Sequence, residues 1–140
     1  MTPETVANAL LFTRIDAIIA SDCDGIIRFW NPGAERIFGY AGEEAVGQSL
    51  DLIIPERLRQ RHWEAFRRTM QTGHSRYGEG DVLAVPALRK DGASLSVEFT
   101  IQPLLTESGS IQGMIAILRD VSKRFEEMRQ LRQKLASLTK

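Results

Sequence analysis

Two histidines, His62 and His74, are the side chains of this sequence best suited to ligate a metal ion. His62 lies in a stretch from Pro55 to about Thr72 whose apolar residues recur at helical spacing. Projected at about 100° per residue, His62 falls inside the apolar arc of this helix. That arc contains Leu58, Trp63, Ala65, Phe66, Thr69 and Met70, and the opposite side contains Arg57, Arg61, Glu64, Arg67 and Arg68. An imidazole that points into the domain needs a partner, which is either a metal ion or a group such as a backbone carbonyl.

The other polar residues of interest have simpler explanations. His74 follows the glycine that ends the helix, so we favour a solvated loop position over a second metal ligand. Cys23 is the single cysteine, which excludes an internal disulfide and a cysteine-based zinc cluster. Asp22 and Asp24 lie in a turn, and turn chemistry explains both carboxylates without calcium. The sequence contains no hydrolase, metalloprotease or phosphate-binding glycine motif, so we predict that this chain is not an enzyme.

Short helices and one pair of strands are predicted for the N-terminal half. Residues 2–11 carry helix-start chemistry and an amphipathic pattern. Residues 16–21 and 25–30 are strand-like runs joined by an Asp-Gly turn, which predicts a hairpin. An Asn-Pro step then begins a helix that ends at Gly39, and residues 42–47 form another brief helical turn.

Strand-like periodicity replaces helical periodicity after Gly73. Three strands are predicted at residues 82–88, 94–101 and 111–118. The middle one alternates, with Leu95, Val97, Phe99 and Ile101 against Ser94, Ser96, Glu98 and Thr100. The outer two are apolar on both faces, so the N-terminal helix or a partner subunit must cover the second face of the sheet. Pro86 lacks an amide proton and predicts an edge strand or a bulge.

A charged helix is predicted from Val121 to the end of the sequence. Its apolar residues form two stripes, which are Val121, Phe125 and Met128, and Leu131, Leu135 and Leu138. The stripes are out of phase by one residue, which is typical of a coiled coil with a stutter. We therefore divide the chain into an N-terminal cap helix at residues 1–13, a globular domain at 14–121 and a helical linker at 122–140.

Composition limits the class of protein. A chain of 140 residues has room for one domain. Its 18 basic residues balance 18 acidic ones, so no general positive field attracts nucleic acid or anionic lipid, and we expect neither as a partner. No apolar run approaches the roughly 20 residues that span a bilayer. With a single cysteine, these features lead us to expect a cytoplasmic protein.

Four segments together resemble the PAS domain family. They are residues 24–40, 43–47, 89–92 and 119–122, in the order that the family shows. The resemblance implies an α+β PAS fold, with a five-stranded antiparallel sheet, helices packed on one face, an N-terminal helix and a C-terminal linker helix. Members of this family sense a ligand, bind a cofactor or dimerise, and relay the result to an attached output domain.

A closer resemblance concerns the ligand. Residues 54–62 are similar to the stretch that leads to the proximal haem ligand in PAS oxygen sensors of the FixL and Dos type, which implies haem b with His62 on the iron. The cofactor-binding residues expected on this basis are His62, Leu58, Phe66, Met70, Arg76, Tyr77, Leu83, Val85, Ile101, Met114 and Ile115. Arg76 and Tyr77 would contact the propionates, and Met114 is a candidate sixth ligand. Leu83 stands where those sensors place a gas-binding arginine, so an apolar site for carbon monoxide or nitric oxide is implied.

Two alternatives remain open. The first is a PAS domain without ligand that serves as a dimerisation module, its apolar outer sheet and N-terminal helix forming the interface. We expect a homodimer with either function. The second is a flavin-binding sensor, but the cysteine motif of light-sensing PAS relatives is absent around Cys23.

Overall fold

In the computed structural model, which describes residues 1–73 and 84–139, helices and strands follow the predicted order. The α-helices are α1 (Pro3–Leu11), α2 (Pro32–Phe38), α3 (Gly42–Ala45), α4 (Arg59–Thr72) and α5 (Ser122–Leu138). The strands are β1 (Ala17–Asp22), β2 (Ile27–Trp30), β3 (Ala84–Leu88), β4 (Ser94–Leu105) and β5 (Ile111–Asp120). The long helix starts at Arg59 rather than Pro55, because Glu56–Leu58 form a 3-10 turn, and strands β4 and β5 extend beyond their predicted ends to Leu105 and Asp120. Such tight turns are common where helices begin.

The five strands form one antiparallel sheet in the order β2-β1-β5-β4-β3. The predicted α+β class, with helices on one face of this sheet, is confirmed. The sheet consists of the hairpin β1–β2 and the meander β3–β4–β5. These two units are joined by the antiparallel pairing of β1 with β5. Pro86 lies on β3, an edge strand opposite Ser96, so the predicted edge position is confirmed.

Asn31 ties the start of α2 to the start of β1. Its Oδ1 accepts hydrogen bonds from the amides of Ile18 and Ala34, both at 2.8 Å. Its Nδ2 donates to the carbonyl oxygens of Thr13 and Asp16 at 3.2 and 3.0 Å. Asn31, predicted as the cap of α2, therefore also binds the backbone at the start of β1. These hydrogen bonds fix one end of the strand that borders the site described below.

The second face of the sheet is only partly covered by the described chain. α1 has no buried residue, although the ring of Phe12 meets the ring of Phe29 edge to face, with centroids 6.4 Å apart. Ile117 on β5 remains 44% exposed. The prediction that something must cover this face therefore stays a prediction, since α1 leaves Ile117 open to a further partner.

α5 begins against β4 and then leaves the sheet. The Val121 amide donates to the Ser96 carbonyl at 2.8 Å, and the Ser96 amide donates to the Ser122 hydroxyl at 3.0 Å. Arg124 forms an ion pair with Glu98 of the same strand. After this contact the apolar residues of α5 are exposed. Within the described ranges, no helix has the length and apolar character needed to cross a membrane.

Candidate functional site: an apolar cavity between the sheet and α4

A cavity of about 290 Å³ lies between α4 and the inner face of the sheet. Its volume is at the lower end of the roughly 300–1,000 Å³ typical of small-molecule sites, and it is partly open to solvent. Apolar side chains make up most of its wall. The residues on the helical side are Leu50, Ile53, Ile54, Leu58, Arg61, His62, Ala65, Phe66 and Thr69, and those on the sheet are Ile19, Ser21, Val85, Pro86, Ala87, Val97, Phe99, Ile101, Met114, Ala116 and Leu118.

His62 is the one imidazole in the described part of this wall. Its Nδ1 is buried and has no hydrogen-bond partner among the described residues. Burial lowers the pKa of His62 from its usual value, and the nearby Asp51 carboxylate opposes that shift in part. A histidine with a lowered pKa is neutral at pH 7, which is the protonation state that ligates metals. The predicted inward orientation of His62 is therefore seen, and its ring nitrogen is available.

Trp63 anchors the same helix to the β1–β2 hairpin. Its Nε1 donates a hydrogen bond to Asp51 Oδ1 at 2.7 Å, and its ring covers Gly25, where a Cβ atom would collide with it. The ring of His62 meets the ring of Trp63 edge to face, with centroids 4.7 Å apart. Trp63 therefore fixes the rotation of α4 and the position of the histidine.

This anchor explains two differences from the helical projection. The inward arc of α4 is divided between the cavity and the hairpin, because the flank that includes Trp63 packs on Gly25. Met70, which lies near Trp63 on that flank, does not line the cavity. Arg61, expected on the opposite side, does line it, since the cavity extends along the other flank of the arc.

A second residue with an unpaired polar atom lines the cavity from the sheet. Ser21 on β1 is 4% exposed, and its Oγ is buried without a hydrogen-bond partner among the described residues. Leaving a buried hydroxyl unsatisfied costs about 1–3 kcal/mol. Ser21 Oγ and His62 Nδ1 are thus two buried polar atoms without a hydrogen-bond partner among the described residues, and both belong to residues that line a mainly apolar cavity.

The structure brings together six of the predicted site residues and separates two others. Leu58, His62, Phe66, Val85, Ile101 and Met114 line the cavity. Ile115 does not, because neighbouring residues on a strand point to opposite faces and Met114 takes the inner one. Met70 is excluded by the rotation of α4. Arg76, Tyr77 and Leu83, together with His74, lie outside the described residues.

Sequence reasoning missed most of the wall contributed by β1 and by the turns before α4. Ile19 and Ser21 share the inner face of β1 at a spacing of two, so the strand's alternation was an available signal. Phe99 belongs to the same alternating set as Ile101. Leu50 and Ile53 come from a 3-10 turn, which has no periodicity long enough to indicate a face.

The described residues fit a prosthetic group better than a bare ion. Among them, no cluster of three or more histidine, cysteine, aspartate or glutamate side chains exists that is able to hold a metal. A metal at His62 would therefore need a macrocycle for its remaining ligands, as haem provides. The unpaired Nδ1 of a neutral imidazole and the apolar walls suit such a group. Arg61, an exposed residue of the cavity wall, is a cation that could pair with the carboxylates of such a group.

Comparison with known proteins agrees with the architecture. A family model described as PAS domain matches residues 15–123. The crystal structure of a PAS domain from Colwellia psychrerythraea has a TM-score of 0.71 at 27% sequence identity, and the match covers 86% of this chain and 97% of that one. An RNA-binding light-oxygen-voltage receptor has a TM-score of 0.74 at 27% identity over 98% of this chain and 37% of its own.

Two sensor proteins are among the curated relatives. The oxygen sensor protein DosP of Escherichia coli is 29% identical over 135 residues, covering 93% of this chain and 16% of DosP. The sensor protein FixL of Bradyrhizobium diazoefficiens is 30% identical over 133 residues, covering 94% of this chain and 26% of FixL. The chain thus corresponds to a minor part of each relative's length.

Proposed function

This chain belongs to the PAS domain family, and from that premise we propose that it is a sensory domain which binds haem b through His62 and responds to a diatomic gas or to redox state. The observation that carries the proposal is the unpaired, buried Nδ1 of His62 in an apolar cavity. The likeness of residues 54–62 to the haem-ligand segment of PAS oxygen sensors supports the same assignment.

Each part of the site has a separate task in this proposal. Haem would supply an iron centre that binds a gas or changes oxidation state. His62 would hold the iron, and Trp63, fixed by its hydrogen bond to Asp51, contacts the imidazole ring and keeps it in place. The apolar side chains of the sheet would exclude water, and Arg61 of the cavity wall would supply a cation to a carboxylate of the haem.

Strand β4 provides a route from the cavity to the linker helix. Val97 and Phe99 line the cavity, while the alternate residues Ser96 and Glu98 contact the start of α5. A ligand that shifts β4 therefore changes the contacts that hold α5. Signalling requires that the ligand favour one of two arrangements of this helix, which would pass the change to an output domain attached to it.

The visible spectrum of purified protein mixed with haem tests the proposal. We expect a Soret band and saturation at one haem for each chain. Absorption in the blue from a copurified cofactor would instead indicate flavin. Weak, nonstoichiometric haem uptake by a correctly folded protein would contradict the proposed function.

A second candidate is a dimerisation module that needs no ligand. Phe125 and Met128 of α5 are 50% and 48% exposed, and the leucines that follow them are also exposed. Ile117 on the outer face of the sheet is 44% exposed as well, and large apolar surfaces are rare on monomers. This surface is compatible with haem binding, so the two functions can occur in one dimeric sensor.

We expect Phe125→Glu to weaken self-association, because it places a charge in the apolar stripe of α5. The dimer dissociation constant should rise about tenfold or more, as measured by sedimentation equilibrium. Glu126→Gln is the matched control, since Glu126 lies outside the apolar stripe, its side chain is 46% exposed and its ion-pair partner, Arg129, lies in its own helix. A wild-type protein that remains monomeric at high concentration would rule out this interface.

A further inference from the structure

Ser21 is the other unpaired polar group of the cavity, and neither the proposed haem ligation nor the fold uses its hydroxyl. It lies near the end of β1, where the strand has a β-bulge between Ala20 and Ser21. The backbone at Ser21 is paired on both sides, with Ile27 of β2 and with Met114 of β5. Gly113 packs so closely on the Ser21 carbonyl that no side chain would fit there. Ser21 is therefore held firmly and is unable to turn its hydroxyl toward bulk water.

Within the described part of the chain, Ser21 Oγ has no hydrogen-bond partner. The nearest cavity residues along and across the sheet are Ile19 and Met114, which are apolar. A serine hydroxyl has one proton to donate and two lone pairs. His62 lines the cavity from the helical wall and Ser21 from the sheet, so a ligand in the cavity lies between two walls that each carry one of these residues.

We propose that Ser21 Oγ donates a hydrogen bond to the diatomic ligand held between His62 and the sheet, so that this serine sets the affinity of the site for oxygen. The inference rests on the proposed function. A buried neutral donor suits a small, polarised acceptor such as oxygen, because donors in the ligand pocket strengthen oxygen binding more than carbon monoxide binding. The site would then not be the purely apolar gas site that Leu83 implied.

Gas kinetics of the haem-loaded ferrous protein test this role. For Ser21→Ala we expect oxygen to dissociate roughly three- to tenfold faster, the effect of losing one neutral hydrogen bond. Carbon monoxide dissociation should change much less, and the C–O stretching frequency of the carbon monoxide complex should rise. Ser21→Thr keeps the hydroxyl and should retain most of the wild-type oxygen affinity. Ser94→Ala, at an exposed serine of β4 away from the cavity, is the matched control.

Stability of the haem-free protein gives a second, independent measurement. If the hydroxyl is unsatisfied without a ligand, Ser21→Ala should lower the unfolding equilibrium constant by roughly fivefold in urea titrations. Normal haem uptake with wild-type oxygen dissociation in Ser21→Ala would overturn the role of Ser21 and leave the haem proposal intact. Failure of the wild-type protein to take up haem would instead refute the proposed function, and this inference with it.

Discussion

Replacing His62 by alanine is expected to abolish stoichiometric haem binding. His62 carries the one imidazole in the described cavity wall, and an imidazole is able to ligate iron. Its Nδ1 has no competing hydrogen-bond partner among the described residues. Loss of a residue that merely supports a metal ligand weakens affinity about 10- to 100-fold, so loss of the ligand itself should cost at least roughly 100-fold. Haem titration followed at the Soret band measures this change.

Two controls separate ligation from folding. His74→Ala removes the other histidine of the sequence and should leave haem uptake largely unchanged. His62→Ala removes a buried nitrogen without a partner among the described residues, which offsets part of the packing lost with the ring, so the haem-free variant should remain folded with a urea midpoint close to that of wild type. Added imidazole should restore part of the haem binding by filling the vacated space. A folded His62→Ala variant that keeps full haem affinity would show that the histidine is not the ligand.

Gly33→Ala is expected to destabilise the whole domain by about 3 kcal/mol or more. A Cβ atom at this position would lie 2.5 Å from the carbonyl carbon of Asp16 and closer still to its oxygen. The Gly33 amide donates to the Thr13 carbonyl at 2.9 Å, and Asn31 binds the same segment, so α2 is unable to move away without losing these hydrogen bonds. Urea unfolding followed by circular dichroism measures the loss.

Gly42→Ala is the matched comparison, because Gly42 also lies in the first turn of a short helix. No atom is within 3.4 Å of a Cβ built there, and its φ angle is not in the left-handed region. Alanine favours helix over glycine by about 1 kcal/mol, so this variant should be as stable as wild type or slightly more stable. Equal stability of the two variants would mean that α2 and β1 are not as closely packed as the structure indicates.

The local elements of this fold could be predicted from sequence because each carries its own signal. Gly39 and Gly73 end helices at positive φ angles, and Asn31 caps α2, as the pattern indicated. The alternation in β4 correctly assigned Val97, Phe99 and Ile101 to the inner face. These features depend on residues a few positions apart, which is the range over which side chains and backbone geometry act directly.

Most of the residues that line the cavity could not be predicted from sequence, because their positions depend on contacts between residues far apart in the chain. His62 could be predicted as inward facing, but the rotation that admits Arg61 and excludes Met70 follows from the contact of Trp63 with Gly25. The alternation of β1 put Ser21 on the same face as Ile19, but it did not indicate that the hydroxyl would be buried without a partner among the described residues. Its burial is decided by β5 and α4, which enclose the same cavity from the sheet and from the helical side. The sequence alone therefore determined the order of elements and the inward histidine, whereas tertiary packing decided which polar groups face the cavity without partners.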